Sequence, residues 1–309
     1  MGQDVADSKH RRRVIIRPDR TQAQADGGLS LVGPTSQDGP VVMYQRWREL
    51  LFLHWPVSPN RIAATLPAGL AVDTFTPPGQ PPTAYLGVVP FLMERVRPRW
   101  LPPLPGVSWF GELNVRTYVI GPDGRPGVWF YSLDADQSLA VWLARKLFAL
   151  PYHKASIRLK RSDRRVRYDW RRRSDSANRP QPSFEYHTPP ADDSSLQPAS
   201  PGTLEHFLVE RYLLFSHRPL FLPGQAPHRT PGPPPPGTIF SGRVAHAPYL
   251  IAPVSTTRYE SQPMSLVGFP DVGKQAPVST LWSPGVDVRV HPLKSVNQKP
   301  AGTPERNAD

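Results

Sequence analysis

The sequence predicts a mainly β protein with a few short helices, built on an antiparallel sheet. Three observations lead there. The 309 residues include 41 prolines and 22 glycines, and proline removes a backbone donor and clashes inside a helix. Apolar and aromatic residues fall in short runs separated by turn chemistry, such as GPDG at 121–124. Only one stretch, ADQSLAVWLARKLFAL (135–150), keeps helical spacing for several turns. A sheet of many short strands must close or stack to remove its edges.

The elements follow in order. Residues 1–40 are polar, basic and without hydrophobic periodicity, and read as a disordered tail. One domain is expected over 41–297. VVMYQRWRELLFLHWPV (41–57) reads as a long strand with a bulge. Ser58 then caps a helix of about two turns, with Pro59 at its first position and Pro67 as its stop. LAVDTF and TAYLGVVPFLMERVR give strands, and ELNVRTYVIGPDGRPGVWFYSLDA gives a hairpin. Asp134 and Asp136 are placed to cap the helix over 135–150, which Pro151 ends. ASIRLKRSDRRVRYDWRRR is a second hairpin, turning near Ser162 and Asp163. PSFEYHTP adds a strand, and Thr203 begins a short helix, LEHFLVERY, that runs into LLFSH. A proline-rich loop occupies 223–237. TIFSGRVAHAPY, IAPVSTTRYE and STLWSPGVDVRVHPLK give the late strands, and 298–309 is a second tail.

Composition narrows the chemistry. There is no cysteine, which excludes disulfides, thiol nucleophiles and cysteine-held metal sites. The histidines show no metal-ligand spacing, so no metal or other cofactor is expected. No apolar run is long enough to span a membrane, no membrane partner is expected, and the N-terminus lacks a signal-peptide core. A cytoplasmic location is the expectation. The formal net charge is +12, concentrated in the arginine hairpin of 158–173. That face reads first as solvated, with nucleic acid or another anionic partner as the alternative. The oligomeric state is not fixed by the sequence, and a homo-oligomer is compatible with it.

Three places carry candidate chemistry. Arg48 lies in an aromatic strand and Glu112 opens another. Either charge is expensive to bury unpaired, so together in one cavity they would pair or hold a carboxylate. ALPYHKAS (149–156) sets Tyr152, His153 and Lys154 in a row. On a strand Tyr152 and Lys154 share a face, and a lysine in an apolar wall can attack carbonyls.

The strings QRWRELLFLHWPV, LPAGLAVDTF, AYLGVVPFLMERVRP, LPPLPG, FGELNVRTYV, PGVWFYSLDA, ARKLFALPYHKA and LEHFLVERY, in that order, resemble the YqjF-like family, domain of unknown function 2071. The resemblance runs from about Met43 to Val296. It implies the fold of the acetoacetate decarboxylases, a closed antiparallel β-barrel or cone around a buried pocket. It also implies an arginine at Arg48 and a pocket glutamate at Glu112. In the decarboxylases two adjacent lysines follow a proline, and the first forms the Schiff base. Here Tyr152 and His153 stand in those places, and Lys154 is displaced by two residues. The implied function is a pocket for a small anionic or carbonyl-containing metabolite, with Arg48, Glu112 and Tyr152 as ligand contacts. The rival is a lyase or isomerase using Tyr152 and His153 for acid–base chemistry, or Lys154 for imine formation.

Overall fold

A computed structural model describes residues 39–137, 150–174, 181–190, 195–219 and 237–296. Residues 138–149 of the helix expected over 135–150, all but the last residue of the proline-rich loop and nearly all of both tails lie outside the described residues; Ala135, its expected first residue, is instead in a strand.

The architecture is β-rich, as the sequence predicts. Fifteen strands share one connected sheet. They are β1 (Met43–Val57), β2 (Ala71–Val72), β3 (Ala84–Pro98), β4 (Phe110–Ile120), β5 (Pro126–Ala135), β6 (Tyr152–Ser162), β7 (Arg165–Arg172), β8 (Ser183–His187), β9 (Gln197–Pro198), β10 (Leu213–Pro219), β11 (Gly237–Ala245), β12 (Leu250–Pro253), β13 (Thr256–Arg258), β14 (Ser279–Val290) and β15 (Lys294–Ser295). Among the described residues three short helices join them: α1 (Pro59–Ala63), α2 (Leu204–Val209) and α3 (Gln262–Ser265).

Seven strands return on themselves. β4 pairs with β5, β5 with β10, β10 with β11, β11 with β14, β14 with β1, β1 with β3, and β3 with β4. All these pairings are antiparallel except β5–β10. The sequence reading ran α2 on into LLFSH. The helix instead stops at Val209, and Leu213–Pro219 forms the strand that closes the ring between β5 and β11. β5 pairs with β10 near Trp129 and with β6 from Leu133 to Ala135. Beyond that fork, β6, β7, β8 and β13 form an arm.

The core therefore has two parts. One apolar cluster fills the ring, around Leu50, Phe52, Val89, Phe91 and Leu133. The other lies between the ring's outer face and the arm, where Leu51, Leu53, Leu113 and Val115 meet Ile157, Tyr168, Trp170 and Phe184. β1 and β4 are consequently buried on both faces in the middle. Gly111 marks the closest approach: a Cβ there would sit 2.2 Å from Ile157 Cγ2.

Bulges set which side chains face inward. β1 carries one extra residue relative to β3 between Arg48 and Leu53, where Glu49 has φ 52°. Gly285, opposite Arg48, adopts φ 130°, and a Cβ there would lie 2.0 Å from the Trp47 carbonyl oxygen. Only glycine fits so strained and crowded a position. β3 has its own extra residue at Arg95, φ 49°. β5 has another near Tyr131. Each bulge exchanges the two faces of its strand partway along.

Asp134 does not cap a helix. It is fully buried and accepts from Arg172 Nη2 at 2.7 Å, Arg172 Nε at 3.1 Å and Trp170 Nε1 at 3.0 Å. This contact ties the ring to the arm. Asp136 Oδ1 accepts from the Gly111 amide at 3.0 Å.

Candidate functional site

The ring surrounds a partly open cavity of about 140 Å³, similar in volume to cavities known to admit a benzene-sized molecule. β4 supplies its polar stripe. Phe110, Glu112, Asn114 and Arg116 recur at period two along this strand and all line the space. Most of the remaining wall is apolar, including Leu50, Val89, Phe91, Val128, Leu133 and Leu214.

At one level sits Glu112, 3 % exposed. Tyr152 Oη donates to Glu112 Oε2 at 2.9 Å, and the Asn114 side chain lies beside the same carboxyl. Tyr168 Oη donates to the Glu112 carbonyl at 2.7 Å, fixing the strand from the arm side. Burial is the main cause that pushes the Glu112 carboxyl up to about 8, against the hydrogen bonds that favour its anion. Glu112 is therefore mostly neutral at pH 7. Burial and the adjoining Glu112 likewise raise the Tyr152 phenol.

Further along β4 sits Arg116, 8 % exposed. Its Nη2 donates to the Leu208 carbonyl at 3.2 Å, an unpaired oxygen at the end of α2. Its guanidinium lies 5.5 Å from the Phe52 ring centre and 5.9 Å from that of Tyr118. Among the described residues no carboxylate pairs with it, and its buried Nε has no partner. Tyr118 Oη also donates to Leu208 O at 2.7 Å, so the His54 Nε2 contact at 2.8 Å has the imidazole as donor. Burial, and secondarily Arg116, hold His54 well below the usual histidine range. Arg211 lines the same end, but it is satisfied by Asp73 at 2.8 Å and the Phe207 ring.

The residues singled out from sequence separate. Glu112 and Tyr152 meet in the cavity. Arg48 does not join them: the bulge at Glu49 turns it to the opposite face. There Nη2 binds Asp287 Oδ1 at 2.6 Å, and Nη1 binds the Val286 and Trp47 carbonyls at 2.9 Å. His153 and Lys154 are half-buried and outside the described lining, which contains no lysine. Asn114 and Arg116 were missed. The period-two step from Glu112 reaches both, and placing Glu112 in a cavity places them there with it.

The arginine hairpin is partly neutralised by other strands. Arg161 pairs with Glu49, Arg165 and Arg167 with Glu185, and Arg172 with Asp134. Among the described residues no cluster of three or more histidines and acids could hold a metal ion, and no helix is long and apolar enough to cross a membrane.

The fold is acetoacetate decarboxylase-like, a ring of β-strands with a polar stripe in an otherwise apolar cavity. Acetoacetate decarboxylase from Legionella pneumophila superposes with a TM-score of 0.55 at 13 % identity, covering 89 % of this chain and 95 % of that one. An acetoacetate decarboxylase-like enzyme from Sphingomonas wittichii RW1 gives 0.55 at 14 % identity, covering 87 % and 98 %. In sequence, residues 44–287 match domain of unknown function 2071, described as an uncharacterized conserved protein, and the chain belongs to that family. The uncharacterized protein YqjF of Bacillus subtilis (strain 168) is 37 % identical over 179 residues, covering 58 % of this chain and 69 % of that protein.

Proposed function

We propose that the cavity binds a small anionic metabolite, with Arg116 as the anion contact. The observation that carries this reading is a buried arginine in a cavity with no carboxylate partner among the described residues. Burying such a charge costs several kcal/mol even after relaxation. The aromatic faces and one carbonyl offset only part of that. An incoming carboxylate supplies the missing partner, in the bidentate geometry that guanidinium favours. The apolar wall accommodates a short carbon chain, and Glu112 with Tyr152 meets its far end.

Titration with butanoate and pentanoate, followed by melting temperature and calorimetry, tests the assignment. Wild type is expected to be stabilised by the acids. Arg116→Met should lose at least about tenfold in affinity, as expected when a charge-assisted contact of 1.5–3 kcal/mol is removed. Arg116→Lys should retain part of it. Arg48→Ala should bind as wild type does. No shift in wild type, or equal loss in Arg48→Ala, removes the reading.

A second reading is an enzyme that moves a proton next to a carbonyl. It is favoured by Glu112, whose carboxyl titrates near neutral pH beside a phenol inside the cavity. Such a site should catalyse exchange of the hydrogens next to the carbonyl of 4-oxopentanoate with deuterium from solvent, and Glu112→Gln should abolish it. Exchange no faster than in buffer, or unchanged in Glu112→Gln, sinks this reading. For the hairpin, the ion pairs to Glu49, Asp134 and Glu185 leave less free charge for nucleic acid than the sequence suggests.

A further inference from the structure

We propose that Asn114 makes the cavity selective for hydroxy acids: a carboxylate rests on Arg116, and a hydroxyl further along the chain donates to Asn114 Oδ1. The proposal rests on the reading of the cavity as an anion site given above.

Asn114 stands between Glu112 and Arg116 on the inner face of β4 and is 5 % exposed. Its side chain lies beside Glu112, and no donor among the described residues is aimed at its carbonyl oxygen. That leaves Oδ1 buried and without a hydrogen-bond partner. A donor placed against Oδ1 would give this acceptor the partner that the described chain does not supply. Two residues along the same strand lies Arg116, whose Nε is an equally unpartnered buried donor. Same-face strand residues are roughly 7 Å apart. The β4 wall therefore presents a cationic donor and, a few carbon–carbon bonds away, a neutral acceptor.

Only one common oxygen function satisfies that acceptor. A ketone oxygen accepts and cannot donate, so beside Oδ1 it would set two acceptors against each other. An alkyl chain leaves Oδ1 unpaired. A hydroxyl donates to Oδ1 while its lone pairs take the proton of the neutral Glu112 carboxyl. Sites built around a buried polar group discriminate strongly against analogues that leave it unmatched.

Matched acids test this by calorimetry at pH 6.5 on the full chain: pentanoate, 4-hydroxypentanoate and 4-oxopentanoate, with the 3-substituted pair to find the register. In wild type one hydroxy acid is expected to bind about tenfold or more tightly than both its oxo partner and pentanoate. In Asn114→Leu that gap should collapse to about twofold while pentanoate affinity is kept or improved, which also reports an intact fold. Asn114→Ser is the second variant should the leucine form fail to fold, with the same narrowing expected. Equal binding of all three acids that still depends on Arg116 overturns the selectivity and leaves the anion site standing. Tightest binding of an oxo acid overturns it too, since Asn114 would then be presenting its nitrogen. Binding of none of the acids overturns both.

Discussion

Asp134→Ala is expected to lower the unfolding free energy by about 3–5 kcal/mol, the cost of removing one partner from a buried ion pair. The substitution deletes the acceptor of two Arg172 bonds and of the Trp170 indole at once. Arg172 is itself buried and would be left without its carboxylate. The loss falls where the arm joins the ring, so the Trp170 side of the outer core should loosen with it. Asp134→Ala with Arg172→Met should recover most of the loss, because a matched apolar pair avoids the stranded charge. Urea unfolding of the three proteins measures this. A single-variant cost below about 1 kcal/mol would mean that the pair does not hold the arm.

Glu112→Gln is expected to change how stability depends on pH. The carboxyl titrates at about 8 in the folded chain, against 4.5 as its ordinary value. Between those limits the unfolded chain has already released the proton and the native chain still holds it. The native state thus binds more protons, and stability contributed by this group falls as pH rises. The contribution is complete below about pH 4.5 and is lost by about pH 8, at no more than about 1.4 kcal/mol per pH unit. Over the whole window that amounts to several kcal/mol. Glutamine keeps an oxygen for Tyr152 and has no proton to lose. The difference between variant and wild type should therefore grow in the variant's favour from pH 5 to pH 8. A difference flat across that range would mean that Glu112 is ionised in the folded protein.

The sequence carries the fold in its local signals. The GPDG turn produces the β4–β5 hairpin, the turn at Ser162 and Asp163 produces β6–β7, and Ser58–Pro59 and Thr203 start α1 and α2 where expected. These features depend on neighbouring residues alone, so a single chain displays them. The candidate site was legible only in part. Glu112 and Tyr152 stand out in the sequence, as an isolated charge at a strand opening and the start of a reactive row after a proline, and both line the cavity. Arg48 was placed wrongly because one extra residue at Glu49 exchanges the faces of β1. That bulge depends on Gly285 across the sheet, 236 positions away in the chain.

What the amino-acid order determined by itself was the set of strands and turns, and with it a β-rich chain needing closure. The tertiary structure alone decided which face of each strand became interior. ELNVRTY alternates equally well for a wet polar face or an enclosed one. The arm packs over Leu113 and Val115, and that packing turns Glu112, Asn114 and Arg116 into the ring. Alternation fixes that the two faces differ; only long-range contacts choose between them.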